Sequence, residues 1–198
     1  MLASFATAKP YFDQRIKCDT VFVMPGQHYV QRSGLGAICT LLGSCVSACI
    51  RDTSSEAGGL NHFLLPAGSE SEKSLKSARY GVHAMELLIN DLIKGGSRKC
   101  NLVAKVFGGA NVISTTSNQS VGMQNGAFVK EYLQSESIPI LAEDLGGERA
   151  RRIYFFPATG RVSVLNVSPA MNDELEKKER ILRFSATAAP SAGNVELF

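Results

Sequence analysis

The apolar positions of this chain fall into short blocks, and their spacing changes from block to block. "TVFVMPGQHYV" (20–30) reads as strand, turn, strand, with Pro25-Gly26 at the turn. "AICTLL" (37–42) is a further apolar run. In "CVSACIRD" (45–52), Cys45, Ser47 and Cys49 alternate with Val46, Ala48 and Ile50, the period of a strand. "DTSSEAGG" (52–59) is turn material, and "LNHFLLP" (60–66) is the return strand, ended by proline. "GSESEKSLKS" (68–77) reads as a polar loop. From Arg79 the period lengthens: Val82, Met85, Leu88, Ile89, Leu92 and Ile93 share one helical face, stopped by Gly95-Gly96.

"NLVAKVFGGA" (101–110) is a buried strand running into a glycine-rich loop. Residues 119–134 form a second amphipathic helix with Val121, Phe128, Val129, Tyr132 and Leu133 inward, and 138–147 is a strand and loop. "RRIYFFPATGRVSVLNV" (151–167) is a hairpin turning at Ala158-Thr159-Gly160. Residues 1–19 read as a loosely ordered arm, 169–184 as a charged helix and 185–198 as a mobile tail, leaving 20–168 as the working domain. Strands outnumber helices and mostly neighbour one another as hairpins. The expected fold is therefore α/β of the α+β kind: a single-domain layered sandwich with a mixed, largely antiparallel sheet.

Composition narrows the function classes. With 198 residues there is enough chain for one well-packed domain. Twenty-one basic against 18 acidic residues is too mild an excess to argue for nucleic acid. No apolar run reaches the roughly 18–20 residues of a membrane span, and the N-terminus lacks the charged and apolar regions of a signal peptide. Five cysteines in a chain read as cytoplasmic argue against disulfides, and the spacing of Cys39, Cys45 and Cys49 is not that of a zinc site. Neither a metal nor an organic cofactor is expected.

Candidate chemistry centres on "LGSC" (42–45) and "GGLNHF" (58–63). A hairpin centred between Thr53 and Ser54 would put Cys45 directly across from His62, their Cβ atoms about 4.5–5.5 Å apart. An imidazole there could take the thiol proton and activate the sulfur. Gly43 permits a tight turn before the cysteine, and backbone N–H groups around 43–45 could face an oxyanion. Ser44 and Asn61 flank the pair and are candidates for positioning substrate. Cys18, Cys39, Cys49 and Cys100 read as packing residues, and His28 and His83 as structural. "FGGA" (107–110) lacks the lysine and spacing of a phosphate loop and reads as a turn lining the cleft, with "DLGG" (144–147) at its rim.

Taken in order, "VMPGQHYV", "CTLLGSCVSACIRD", "GGLNHFLLP", "RYGVHAMELLINDLI", "AKVFGGA", "VGMQN" and "DLGGERARRIYFFPATGRV" resemble the CheD family of chemoreceptor glutamine deamidases over roughly residues 11–167. The resemblance implies a compact sandwich similar to the catalytic domain of deamidating toxins. It implies hydrolysis of glutamine side-chain amides on chemoreceptor cytoplasmic helices, by a monomer in the cytoplasm, with a CheC-type phosphatase as a possible partner. It puts the nucleophile at Cys45 and the histidine at His62. The family's third residue is a threonine; in "Cys39-Thr40" the available hydroxyl is Thr40, while the family position can also be aligned on Cys39. The alternative function is a non-catalytic chemotaxis adaptor that binds receptor or phosphatase.

Overall fold

The structure is a computed structural model that describes residues 9–65, 71–111 and 121–167, with backbone alone for 71–78. The charged helix at 169–184 and the tail at 185–198 lie outside the described residues, as does the start of the N-terminal arm. Among the described residues there are ten strands: β1 (Tyr11–Asp13), β2 (Cys18–Phe22), β3 (His28–Gln31), β4 (Ala37–Leu42), β5 (Val46–Asp52), β6 (Gly58–Asn61), β7 (Leu102–Gly108), β8 (Ile140–Leu145), β9 (Arg151–Phe156) and β10 (Arg161–Asn166). Two helices accompany them, α1 (Ser71–Lys94) and α2 (Val121–Ser135), with a short 3₁₀ turn at Lys99–Asn101.

The strands form two five-stranded sheets, in the orders β1-β2-β4-β9-β10 and β3-β6-β5-β7-β8. Among the described strands, only β2–β4 and β7–β8 pair in parallel. The sandwich is thus mixed and largely antiparallel, with two sheets where a single one was expected. Val23, Ile38, Leu42, Cys49, Leu60, Phe107, Ile153 and Phe155 fill the space between the sheets. On the other face of the second sheet, Val46, Ala48, Ile50 and Phe63 pack against Met85, Leu88, Ile89 and Leu92 of α1 and Val129 and Leu133 of α2. The molecule therefore has three layers: sheet, sheet, helices. The alternation read in 45–50 is the division of β5 between these two cores.

Two boundaries differ from the sequence reading. Residues 11–13 are not part of a loose arm: β1 pairs with β2, and the buried Asp13 accepts a 2.9 Å hydrogen bond from the hydroxyl of buried Tyr154. That polar anchor carries no hydrophobic period to read. Helix α1 also begins at Ser71, well before Arg79. Its first two turns, 71–78, hold only Leu75 and Ala78 as apolar residues, too few to show a helical period.

Candidate active site

Strand β4 sends alternate side chains to opposite faces. Ile38 and Leu42 enter the core between the sheets, so Thr40 points there too. Cys39 points outward, beside Tyr154 and Asp13, and its burial pushes the thiol up to about 12. The Thr40 hydroxyl donates to the Val23 carbonyl at 2.8 Å and lies 2.7 Å from Nδ1 of His62. Its one proton is spent on Val23, so it accepts from an Nδ1–H. That tautomer leaves the lone pair on Nε2, which is buried and has no hydrogen-bond partner among the described residues. Burial lowers the His62 pKa to about 4, against the Val23 carbonyl, which favours the charged ring. His62 is therefore a neutral, oriented imidazole at neutral pH, with a basic nitrogen directed into the interior.

Cys45 and His62 occupy the same face, one step apart diagonally. The pairs Cys49↔Leu60 and Val46↔Phe63 set a register that puts Ser47 directly across from His62 and Leu64 across from Cys45. Diagonal neighbours in such a pair are roughly 7–8 Å apart at Cα, with Cβ atoms somewhat closer. The directly opposed arrangement expected from the sequence is corrected by the turn. Asp52 Oδ1 accepts from the Ser54 N–H at 2.8 Å and from its hydroxyl at 2.6 Å, and the Asp52 N–H closes on Ala57 O at 2.9 Å. This Asx-type turn encloses Thr53–Glu56 and moves the centre of the hairpin one residue on.

The "GSC" turn is held by its carbonyls. Gly43 O accepts from the Ala110 N–H and Cys45 O from the Gly109 N–H, both at 2.8 Å, while Ser44 O accepts from Asn125 Nδ2 at 2.7 Å. Gly43 and Ser44 are both buried. The "FGGA" loop thus lines the nucleophile turn from below. Gly108 has φ +110, and a Cβ there would stand 2.2 Å from Cys45 O; only glycine allows the loop this close.

Asn61 lies elsewhere than expected. Its side chain points to the helical layer, where Oδ1 accepts from the Ala48 N–H at 3.0 Å and Nδ2 donates to Ala84 O at 3.1 Å. Both ends of its amide are thus bound within the protein, and the residue is buried. Two residues escaped the sequence reading. Tyr80 of α1 stands near the site: burial, and after it the proximity of Cys45, push the pKa of its hydroxyl above the ordinary tyrosine value. Asn125, inside "VGMQN", is fully buried against the nucleophile turn. A buried asparagine on a helical apolar stripe was the one available signal.

The remaining candidates separate clearly. Cys49 is buried and its thiol is pushed up to about 12 by burial. Cys100 is exposed and Cys18 half-buried, so neither is core packing. His28 Nε2 lies 3.0 Å from Asp91 Oδ2. Among the described residues no group of three or more His, Cys, Asp or Glu side chains could hold a metal ion, and no helix is long and apolar enough to cross a membrane.

A family model described as CheD chemotactic sensory transduction matches residues 64–166, just over half of the chain. The chain belongs to the CheD family. A Methylobacillus flagellatus protein named "Probable chemoreceptor glutamine deamidase CheD" is 45% identical over 191 residues, 95% of this chain and 94% of that one. Proteins of the same name from Thiobacillus denitrificans and Xanthomonas campestris are 44% and 46% identical, each covering 95% of this chain and 94% and 93% of their own length. A crystal structure of a Neisseria meningitidis protein of the DUF152 family overlays with TM-score 0.40 and 10% identity over 68% of this chain and 65% of that one, too loose a likeness to argue from. Within this CheD-family chain the matched segment carries Asn125 and "FGGA", while Thr40, Cys45 and His62 lie just before it, in the stretch covered by the relatives.

Proposed function

We propose that this CheD-family protein is a chemoreceptor glutamine deamidase that works through a Cys45 thioester. The observation that carries the reading is the neutral His62, aligned by Thr40 and with Nε2 unpaired, on the same face as Cys45. Membership of the family supplies the substrate class: glutamine side chains on the cytoplasmic helices of chemoreceptors.

In the first half-reaction His62 Nε2 takes the Cys45 thiol proton, and the sulfur attacks the glutamine Cδ. A tetrahedral oxyanion forms, met by backbone N–H groups of the 43–45 turn. Its collapse breaks the C–N bond, and the imidazolium returns its proton to the departing nitrogen, so ammonia leaves. In the second half-reaction the neutral imidazole takes a proton from water, and hydroxide attacks the thioester. Collapse then releases glutamate and restores the thiol. Thr40 touches no reacting atom; it positions the ring. The low pKa of His62 suits a base that must be neutral before each attack. In this reading the protein acts as a monomer in the cytoplasm and has a CheC-type phosphatase as its partner.

The test is a receptor cytoplasmic fragment from the same cell, incubated with wild type and with Cys45→Ala, followed by peptide mass spectrometry. Conversion of specific glutamines to glutamate by wild type alone is the expected result. Conversion by neither, with receptor binding intact in both, would overturn the enzyme and leave an adaptor.

A further inference from the structure

The register that pairs Val46 with Phe63 would, two residues on, bring Ser44 opposite Leu65 and join the Leu65 N–H to Ser44 O. That bond is not the one made. The Leu65 N–H donates to Asn125 Oδ1 at 2.8 Å, and Asn125 Nδ2 donates to Ser44 O at 2.7 Å. The side-chain amide is inserted into the ladder as one extra peptide-like rung. It spreads the nucleophile turn from the segment that follows His62. Asn61 does the same on the other side of the pair, taking the Ala48 N–H. Cys45 and His62 therefore sit in a length of hairpin pried open at both ends, closed only by the Val46–Phe63 bridge.

Helix α2 delivers this amide by close backbone packing. Gly122, three residues before Asn125 on the same face, would put a Cβ 2.3 Å from Gly109 O. Only a glycine there lets the helix approach near enough. The direction of the bond has a second effect. In a trans peptide the C=O and the next N–H point opposite ways, so drawing Ser44 O toward α2 turns the Cys45 N–H away from it.

We propose that Asn125 is a positioning residue: an inserted amide spacer that sets the gap between Cys45 and His62 and the direction of the Cys45 N–H. Its catalytic consequence rests on the deamidase reading; its geometric consequence does not. Without the amide, the Leu65 N–H and Ser44 O can close on each other and carry Cys45 out of line. A misplacement of about 1 Å costs on the order of a hundredfold in rate.

The experiment compares wild type with Asn125→Ala and Asn125→Asp in two assays: deamidation of a receptor fragment, and iodoacetamide labelling of Cys45 followed by peptide mass spectrometry across pH. Asn125→Ala is expected to lose about a hundredfold in kcat with KM within a few-fold, and to change the Cys45 labelling rate. Asn125→Asp keeps the acceptor for Leu65, but as a carboxylate it cannot donate to Ser44. Its labelling rate relative to wild type should approach one as the pH falls and the carboxyl regains a proton to donate. If Asn125→Ala does not fold, the Asp variant decides alone. Folded variants with wild-type labelling at every pH, or equal losses in stability and activity with unchanged labelling, would overturn the proposal. Altered labelling in a protein whose wild type deamidates no receptor would uphold the spacer and sink the deamidase.

Discussion

Thr40 and His62 meet across the two sheets, hydroxyl to Nδ1 at 2.7 Å, while Cys39, the neighbouring residue, faces the opposite side of β4. Strand geometry alone makes the two alternatives unequal: adjacent residues cannot both look at the same imidazole. Thr40→Val removes the hydroxyl that sits 2.7 Å from His62 Nδ1 and donates to the Val23 carbonyl at 2.8 Å. Losing that hydrogen bond costs on the order of 1 kcal/mol of stability, and a ring no longer held in line should lower kcat roughly ten- to a hundredfold. Thr40→Ser should recover most of it, and Cys39→Ser should leave deamidation within a few-fold of wild type. Steady-state kinetics on a receptor fragment would decide, and a Cys39→Ser loss as large as that of Thr40→Val would contradict the assignment.

The depressed pKa of His62 makes stability depend on pH in a defined window. The ring titrates near 6.5 when unfolded and at about 4 when folded, so between these values the unfolded chain binds more protons. The contribution is fully present above pH 6.5 and is lost as pH falls through 4. Its size is on the order of 3 kcal/mol for a fully buried ring. Thermal unfolding of wild type and His62→Gln at a series of pH values should show the wild-type Tm falling more steeply between pH 6.5 and 4. Parallel curves would mean that the imidazole is not held neutral.

The contact between α2 and the "FGGA" loop has no room for a methyl group. In Gly122→Ala the new Cβ meets Gly109 O at 2.3 Å, and backbone cannot swing away as a side chain can. The helix must shift, at a cost of roughly 1–3 kcal/mol. Because Asn125 moves with it, deamidation should fall further than the lost stability explains. A calorimetric scan beside an activity assay at a temperature where both proteins are folded measures the two effects separately.

Asn61 gives the contrasting case. Its amide bonds to Ala48, Ala84 and the Met85 sulfur on the helical side of the sheet, away from the imidazole. Asn61→Leu strands the Ala48 N–H, for a loss of about 1–3 kcal/mol in stability. Because the same amide opens the ladder beside His62, kcat should fall as well, with KM unchanged. A substrate-binding asparagine would instead raise KM without lowering Tm, and the pair of measurements tells the two apart.

Much of this molecule was legible in its sequence. The alternation in 45–50, the helical spacing in 82–92 and the turn residues at 25–26 and 158–160 are local patterns with local causes, and they define strands and helices without a fold. The proximity of Cys45 and His62 was also legible, because a short polar turn between two strands leaves few registers. What failed were features whose cause lies outside the segment. The start of α1 shows no apolar period, β1 is held by a buried carboxylate and a tyrosine 141 positions away, and the register turns on one aspartate side chain.

The sequence by itself determined most of the elements, though not β1 or the start of α1, and it determined the three-residue nucleophile turn and the glycine loop, since propensity, period and turn chemistry act over a few residues. Only the tertiary structure decided which hydroxyl meets His62, which face Asn61 takes and where Asn125 bonds. Those contacts join residues 22, 24 and 60 to 81 positions apart. Their partners are chosen by how sheets stack and helices dock, and spacing along the chain carries no record of that.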